Sequence, residues 1–252
     1  MSTAVAGILA GRTALVTGAS RGIGAGIAEA LGRAGADVVV NYAASRGEAE
    51  SVVGRIERAG GRAVAIQADM AVESAVEQLL DRARAEFGTL DVLVNNAGIC
   101  LPAALEDSTA QQFHRQFDLN VLGTMLSTKF FAAQAGSGSS IVNISAIAAR
   151  LAPPTRGIYS ATKAAVDVLT QTHAKELGPR GIRVNAISPG YVVTDATRAD
   201  GLVGSEMEKV RIAGTPLRRA GRPDDIAAVA VFLASEEARW LTGQIISASG
   251  GI

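Results

Sequence analysis

The sequence predicts a single doubly wound α/β domain, a seven-stranded parallel sheet with helices on both faces, and three observations point to it. β-Branched runs alternate with alanine-rich segments along the 252 residues. Near the N-terminus an apolar run enters a glycine-rich turn and leaves as a helix. No repeat, low-complexity tract or linker breaks the rhythm, and a hydrophobic content of 48% is enough for one core without a second module.

The first strand is expected near 13–17, Thr13-Ala14-Leu15-Val16-Thr17. It leads through Gly18-Ala19-Ser20-Arg21-Gly22-Ile23-Gly24 into a helix near 22–34. Glycines there permit positive φ and close backbone approach, so free N–H groups of the first helical turn can face a pyrophosphate. The spacing Gly18-x-x-x-Gly22-x-Gly24 differs from the commoner dinucleotide fingerprint, and by itself a plain tight turn fits equally well. A second strand near 37–41, at βαβ distance, favours the nucleotide. Further strands are expected near 63–68, 91–95, 139–144, 181–187 and 243–247, separated by helices near 46–59, 71–87, 109–135, 158–178 and 223–235. From Thr194 to Thr215 the pattern is least regular. Glycines and a short helical patch from Glu206 to Ile212 suggest a mobile flap over the site, the alternative being an ordinary connecting loop.

Charge and composition exclude several classes of function. Lys+Arg and Asp+Glu balance at 24 each, so no net field recruits nucleic acid or an anionic membrane. Residues 1–12 lack the apolar core of a secretory peptide and no apolar stretch reaches spanning length, which makes a cytoplasmic location the expectation. Cys100 is the only cysteine, and His114 and His173 lie far from any ligand spacing, so neither an internal disulfide nor a metal site is expected.

Tyr159 and Lys163 form Tyr-x-x-x-Lys, which one helical turn puts on the same side. A cation near the phenol favours phenolate and draws its pKa down from about 10 toward neutrality, which suggests acid–base chemistry. Spacing alone favours a half-buried Tyr beside a solvated Lys, because such pairs are common on helices.

Several motifs in order decide between these. Thr17 to Gly24, Asn95-Asn96-Ala97-Gly98, Asn120, Tyr159-Ser160-Ala161-Thr162-Lys163 and Pro189-Gly190 with Thr194 together resemble the short-chain dehydrogenase/reductase family, in its 3-oxoacyl- or carbonyl-reductase-like branch. The resemblance runs from about residue 11 to the C-terminal Gly250-Gly251. It implies a Rossmann fold and hydride transfer between nicotinamide and a ketone or secondary alcohol. It also implies that Tyr159 exchanges the proton, that Lys163 stabilises the phenolate and binds the nicotinamide ribose, and that Asn120 holds a water by its side chain where a helix opens. A homotetramer pairing the helices near 109–135 and 158–178 is implied as well.

One position departs from the family. The Ser expected thirteen residues before Tyr159 falls at residue 146, which is Ala, with Ser145 beside it. Alternate residues of a strand face opposite sides, so Ser145 reaches the substrate only if the backbone shifts by one residue. Three consequences remain open: a weakened enzyme or nucleotide-binding pseudoenzyme, Ser145 acting through such a shift, or a substrate such as an imine that needs no hydroxyl.

Cofactor choice follows from the end of the second strand, where NAD enzymes of this fold usually carry an acid and this chain has Asn41. Arg21, Ser45 and Arg46 are expected to receive a 2′-phosphate, which favours NADP(H) over NAD(H). The resemblance assigns Asp69 and Met70 to the adenine, Asn96, Ala97 and Gly98 to the adenosine ribose, and Pro189, Gly190, Val192 and Thr194 to the carboxamide. The substrate wall is expected from Ile99, Cys100, Ala146, Ile147, Leu151, Ala152, Tyr191 and Met207. With no clustered Lys or Arg aimed at a substrate anion, the substrate is expected to be neutral and hydrophobic.

Overall fold

The computed structural model describes residues 7–252. All seven predicted strands form, each within two residues of its expected start: β1 Thr13–Val16, β2 Asp37–Tyr42, β3 Arg62–Gln67, β4 Val92–Asn95, β5 Ser140–Ile144, β6 Arg183–Pro189 and β7 Ile245–Ala248. They make one parallel sheet of order β3-β2-β1-β4-β5-β6-β7. The order reverses between β1 and β4, and in open α/β sheets ligands bind at the carboxyl end of the strands beside such a switch.

Strand residues divide between two cores by pleat. Ala14 and Val16 of β1 and Val92 and Val94 of β4 face one way, onto α1 (Gly22–Arg33), α2 (Arg46–Arg58) and α10 (Pro223–Ala234). Leu15 and Leu93 face the other, onto α3 (Glu73–Phe87), α5 (Gly123–Gln134) and α7 (Gly157–Leu177). Each fully buried Leu or Ile in these layers, such as Leu31, Leu79 and Ile141, contributes roughly 1.5–3 kcal/mol. Both sheet faces are therefore apolar, which is why its strands read as continuous hydrophobic runs.

Two stretches differ from expectation. The predicted helix 109–135 is interrupted: α4 (Ala110–Phe117) passes through a π-helical turn, Asp118–Leu122, before α5. The flap region holds two short helices, α8 (Asp195–Ala199) and α9 (Glu206–Gly214), each capped at its N-terminus by a hydroxyl, that of Thr194 and of Ser205. A short α6 (Ala148–Leu151) follows β5.

Candidate active site

The glycine turn is held open by the end of β4. Asn96 donates from Nδ2 to the carbonyls of Thr17 and Gly18, both at 2.9 Å, and the Thr17 hydroxyl accepts the N–H groups of Asn96 and Ala97 at 3.0 Å. A Cβ at Gly24 would lie 2.4 Å from Asn96 Nδ2, and one at Gly18 2.9 Å from Ala97 Cα, so only glycine allows these segments to touch. Helix α1 begins at Gly22 without a side-chain cap from Arg21. The Gly22 N–H reaches the carboxylate of Asp195 at 3.2 Å, so this helix end already draws an anionic oxygen.

One cleft of about 1000 Å³ gathers most of the predicted residues. Along it lie Gly18, Ser20, Arg21, Gly22, Ile23 and Gly24, then Ser45 and Met70, then Asn96, Ala97 and Gly98. At the far end stand Tyr159, Lys163, Pro189, Gly190, Val192 and Thr194, with Ile99, Cys100, Ala146, Ile147, Leu151 and Tyr191 as the wall.

Other predicted residues lie outside the cleft or border it with their side chains engaged by the protein. The Asn41 side chain is buried in the scaffold: its Oδ1 accepts the Gly18 N–H at 3.1 Å and its Nδ2 donates to the Ala68 carbonyl at 3.2 Å. It shapes the glycine turn and is not free for a phosphate. Arg46 is exposed outside the cleft, donating from Nε to the Tyr42 hydroxyl at 3.1 Å. Asp69 is exposed too, with Oδ1 on the Ala71 N–H at 3.0 Å. Met207 is 56% exposed on α9, whereas Arg211 and Gly214 of that helix line the cleft. Thr194 spends its hydroxyl on the Thr197 N–H as an N-cap.

Asn120 lies in the π turn, but its amide holds protein groups. Oδ1 accepts the Ile99 N–H at 2.9 Å, and Nδ2 donates to the Ile99 carbonyl at 2.9 Å and to Thr162 Oγ1 at 3.0 Å. Both amide hydrogens are used, so the side chain ties the loop after β4 to the helix that carries Tyr159.

Lys163 is buried, with Nζ donating to the Ile144 carbonyl at 2.7 Å and standing 5.8 Å from the centre of the Tyr159 ring. Burial pushes its pKa down to about 8, against the opposing pull of Asp167. The Tyr159 phenol moves opposite to the sequence expectation. Desolvation raises its pKa, the neighbouring Cys100 adds to the rise, and Arg156 partly offsets it. Its hydroxyl therefore stays protonated at neutral pH and is a proton donor.

Ser145, the neighbour of Ala146, is engaged within the protein. Ser145 is 2% exposed and donates to the Lys163 carbonyl at 3.3 Å, on the Asp167 side of that lysine. Ser145 and Ala146 both border the cleft, the Ser145 hydroxyl being turned to the Lys163 carbonyl. Two cations also line the wall, Arg156 and Arg211. Arg211 lies over the Tyr191 ring at 5.5 Å, and Tyr191 donates to Glu208 Oε1 at 2.8 Å. Neither arginine stands out in the sequence, since both enter through loop and helix placement. Among the described residues no helix is long and apolar enough to cross a membrane, and no group of three or more His, Cys, Asp or Glu could hold a metal ion.

The chain is similar to known proteins along nearly its whole length. A family model described as enoyl-(acyl carrier protein) reductase matches residues 18–252. An uncharacterized oxidoreductase of Methylorubrum extorquens is 51% identical over 97% of this chain and 98% of its own. The 3-oxoacyl-[acyl-carrier-protein] reductase of Staphylococcus epidermidis is 40% identical, covering 96% of this chain and 98% of that protein. Among solved structures, a short chain dehydrogenase from Burkholderia cenocepacia in complex with NADP superposes with a TM-score of 0.92 at 40% identity, over 96% of this chain and 98% of the other.

Proposed function

We propose that this chain, which belongs to the short-chain dehydrogenase/reductase family, is an NADP(H)-dependent ketoreductase that interconverts a ketone with an apolar body and its secondary alcohol. The observation that carries this reading is convergence: the Tyr159 hydroxyl, the Lys163 ammonium and the glycine turn open into one cleft. When bound, the nicotinamide supplies the hydride that reduces the carbonyl carbon.

The residues present suit that cofactor. The first-turn N–H groups of α1 beyond Gly22, which Asp195 engages, suit a pyrophosphate, and Arg21 with Ser45 suits a 2′-phosphate. No acid stands at the end of β2, where Asn41 is turned inward. The structures of relatives solved with NADP or NADPH support the same choice. Tyr159 delivers its proton to the carbonyl oxygen, Lys163 holds the nicotinamide ribose and steadies the phenolate left behind, and Asn120 positions the helix bearing both. Exposed Phe113, Met125 and Val168 on α4, α5 and α7 support assembly as a homotetramer through those helices.

The test is oxidation of NADPH, followed by absorbance, across a panel of aryl and alkyl ketones. Turnover with NADPH, slower with NADH, is expected, and Arg21→Glu should reverse that order. A protein that binds neither coenzyme would refute the assignment.

The reading also fixes a pH dependence. Reduction needs Tyr159 protonated and Lys163 charged. The first condition holds through neutrality because the phenol is raised, whereas the second is lost as pH rises through about 8. A profile of kcat/KM against pH should therefore be flat in mild acid and fall about tenfold per unit above the lysine's pKa. A profile still level well above that point would show that the ammonium is not required.

A further inference from the structure

We propose that Arg156 makes this cleft select ketones that carry an anionic oxygen, such as a carboxylate, next to the reacting carbonyl. This rests on the ketoreductase reading and names its substrate class.

Arg156 immediately precedes α7, three residues before Tyr159, and is half-buried in the same wall. Its Nη1 donates to Cys100 Sγ at 2.8 Å, and that thiol is its one side-chain partner among the described residues. Burial raises the Cys100 pKa, so the thiol is neutral and does not balance the guanidinium. Asp200 lines the cleft as well, yet no ion pair joins it to Arg156. Among the described residues Arg211 on the same wall also lacks an ion pair, whereas four arginines elsewhere have a close one. Arg12, Arg55, Arg62 and Arg219 each meet a carboxylate within 3.0 Å. A partly desolvated charge without a counter-charge is costly, and a guanidinium presents five donors in a planar fork that matches a carboxylate. Four of those donors remain for a ligand.

The backbone holds the side chain there under strain. Ala152 and Thr155 adopt φ of 45° and 65° although neither is glycine, and Thr155 is β-branched. The Thr155 carbonyl accepts the Ala103 N–H at 2.8 Å, which ties this loop to the segment carrying Cys100 and sets the two side chains against each other. An anion held by Arg156 would fix the substrate on a wall where Ala146 offers no hydrogen bond.

The experiment compares benzoylformate with its ethyl ester, two ketones that differ in charge. Calorimetry on the NADP⁺-loaded protein should show the acid binding at least about tenfold tighter, since a hydrogen bond to a charged group is worth that much or more. Arg156→Gln should bring the ratio to about one and Arg156→Lys should restore part of it, with NADP⁺ titration showing that both variants are folded. A parent that binds both alike or neither, or a ratio unmoved by Arg156→Gln, overturns the proposal. Arg156-dependent binding of an acid that NADPH does not reduce would sustain this inference and defeat the ketoreductase reading. The ester reduced as well as the acid would do the reverse.

Discussion

Tyr159→Phe should lower kcat for ketone reduction by about 10²–10⁴, the range that a positioned general acid supplies, with NADPH affinity nearly intact. The ring keeps its volume and its place beside Lys163. Only the hydroxyl is lost, and among the described residues that hydroxyl makes no hydrogen bond to the protein, so nothing in the fold is left unpaired by removing it. Steady-state NADPH oxidation measures the first effect, and fluorescence titration of NADPH measures the second. Turnover at the parental rate would mean that the proton comes from another group. A parallel fall in coenzyme affinity would mean instead that the phenol helps to build the cleft.

The electrostatics behind that expectation were only half legible in the sequence. Tyr-x-x-x-Lys announces that a phenol and an ammonium share a helix face, and they do. It does not announce what surrounds them. Lys163 is drawn to the Ile144 carbonyl and desolvated, so it does not depress the phenol, and burial moves each group toward its neutral form. The raised pKa keeps Tyr159 protonated in the free protein, the state from which it can give a proton to a ketone.

The fold was more legible than the site for a related reason. The five inner strands, β2, β1, β4, β5 and β6, are buried on both faces and therefore largely apolar, and that pattern survives any local adjustment. Side-chain direction does not. Asn41 stands where a cofactor residue is expected, but the unpaired Gly18 N–H and Ala68 carbonyl nearby claim its amide. The π turn at Asp118–Leu122 leaves no mark on the periodicity of 109–135, because α5 beyond it is buried around most of its circumference and carries no single apolar stripe to be displaced. Arg156 was missed because two non-glycine residues with positive φ aim it inward, and no residue type signals that conformation.

Ala146→Ser should raise kcat/KM for ketones by up to about 10²–10³, the worth of one hydrogen-bond donor at a developing oxyanion. Ala146 already faces the cleft beside Ile147, so the new hydroxyl needs no backbone movement to reach it. Ser145 cannot supply the same bond while its hydroxyl is held by the Lys163 carbonyl. The gain should therefore persist in a Ser145→Ala background, which separates the two positions. Its size should also depend on the substrate. A ketone whose adjacent carboxylate is held by Arg156 already has one anchor at this wall and should gain less than its ester, which has none. An ester that gains nothing would show that position 146 does not meet the reacting oxygen, and the chemistry would then point to a carbonyl held wholly by Tyr159 or to an imine.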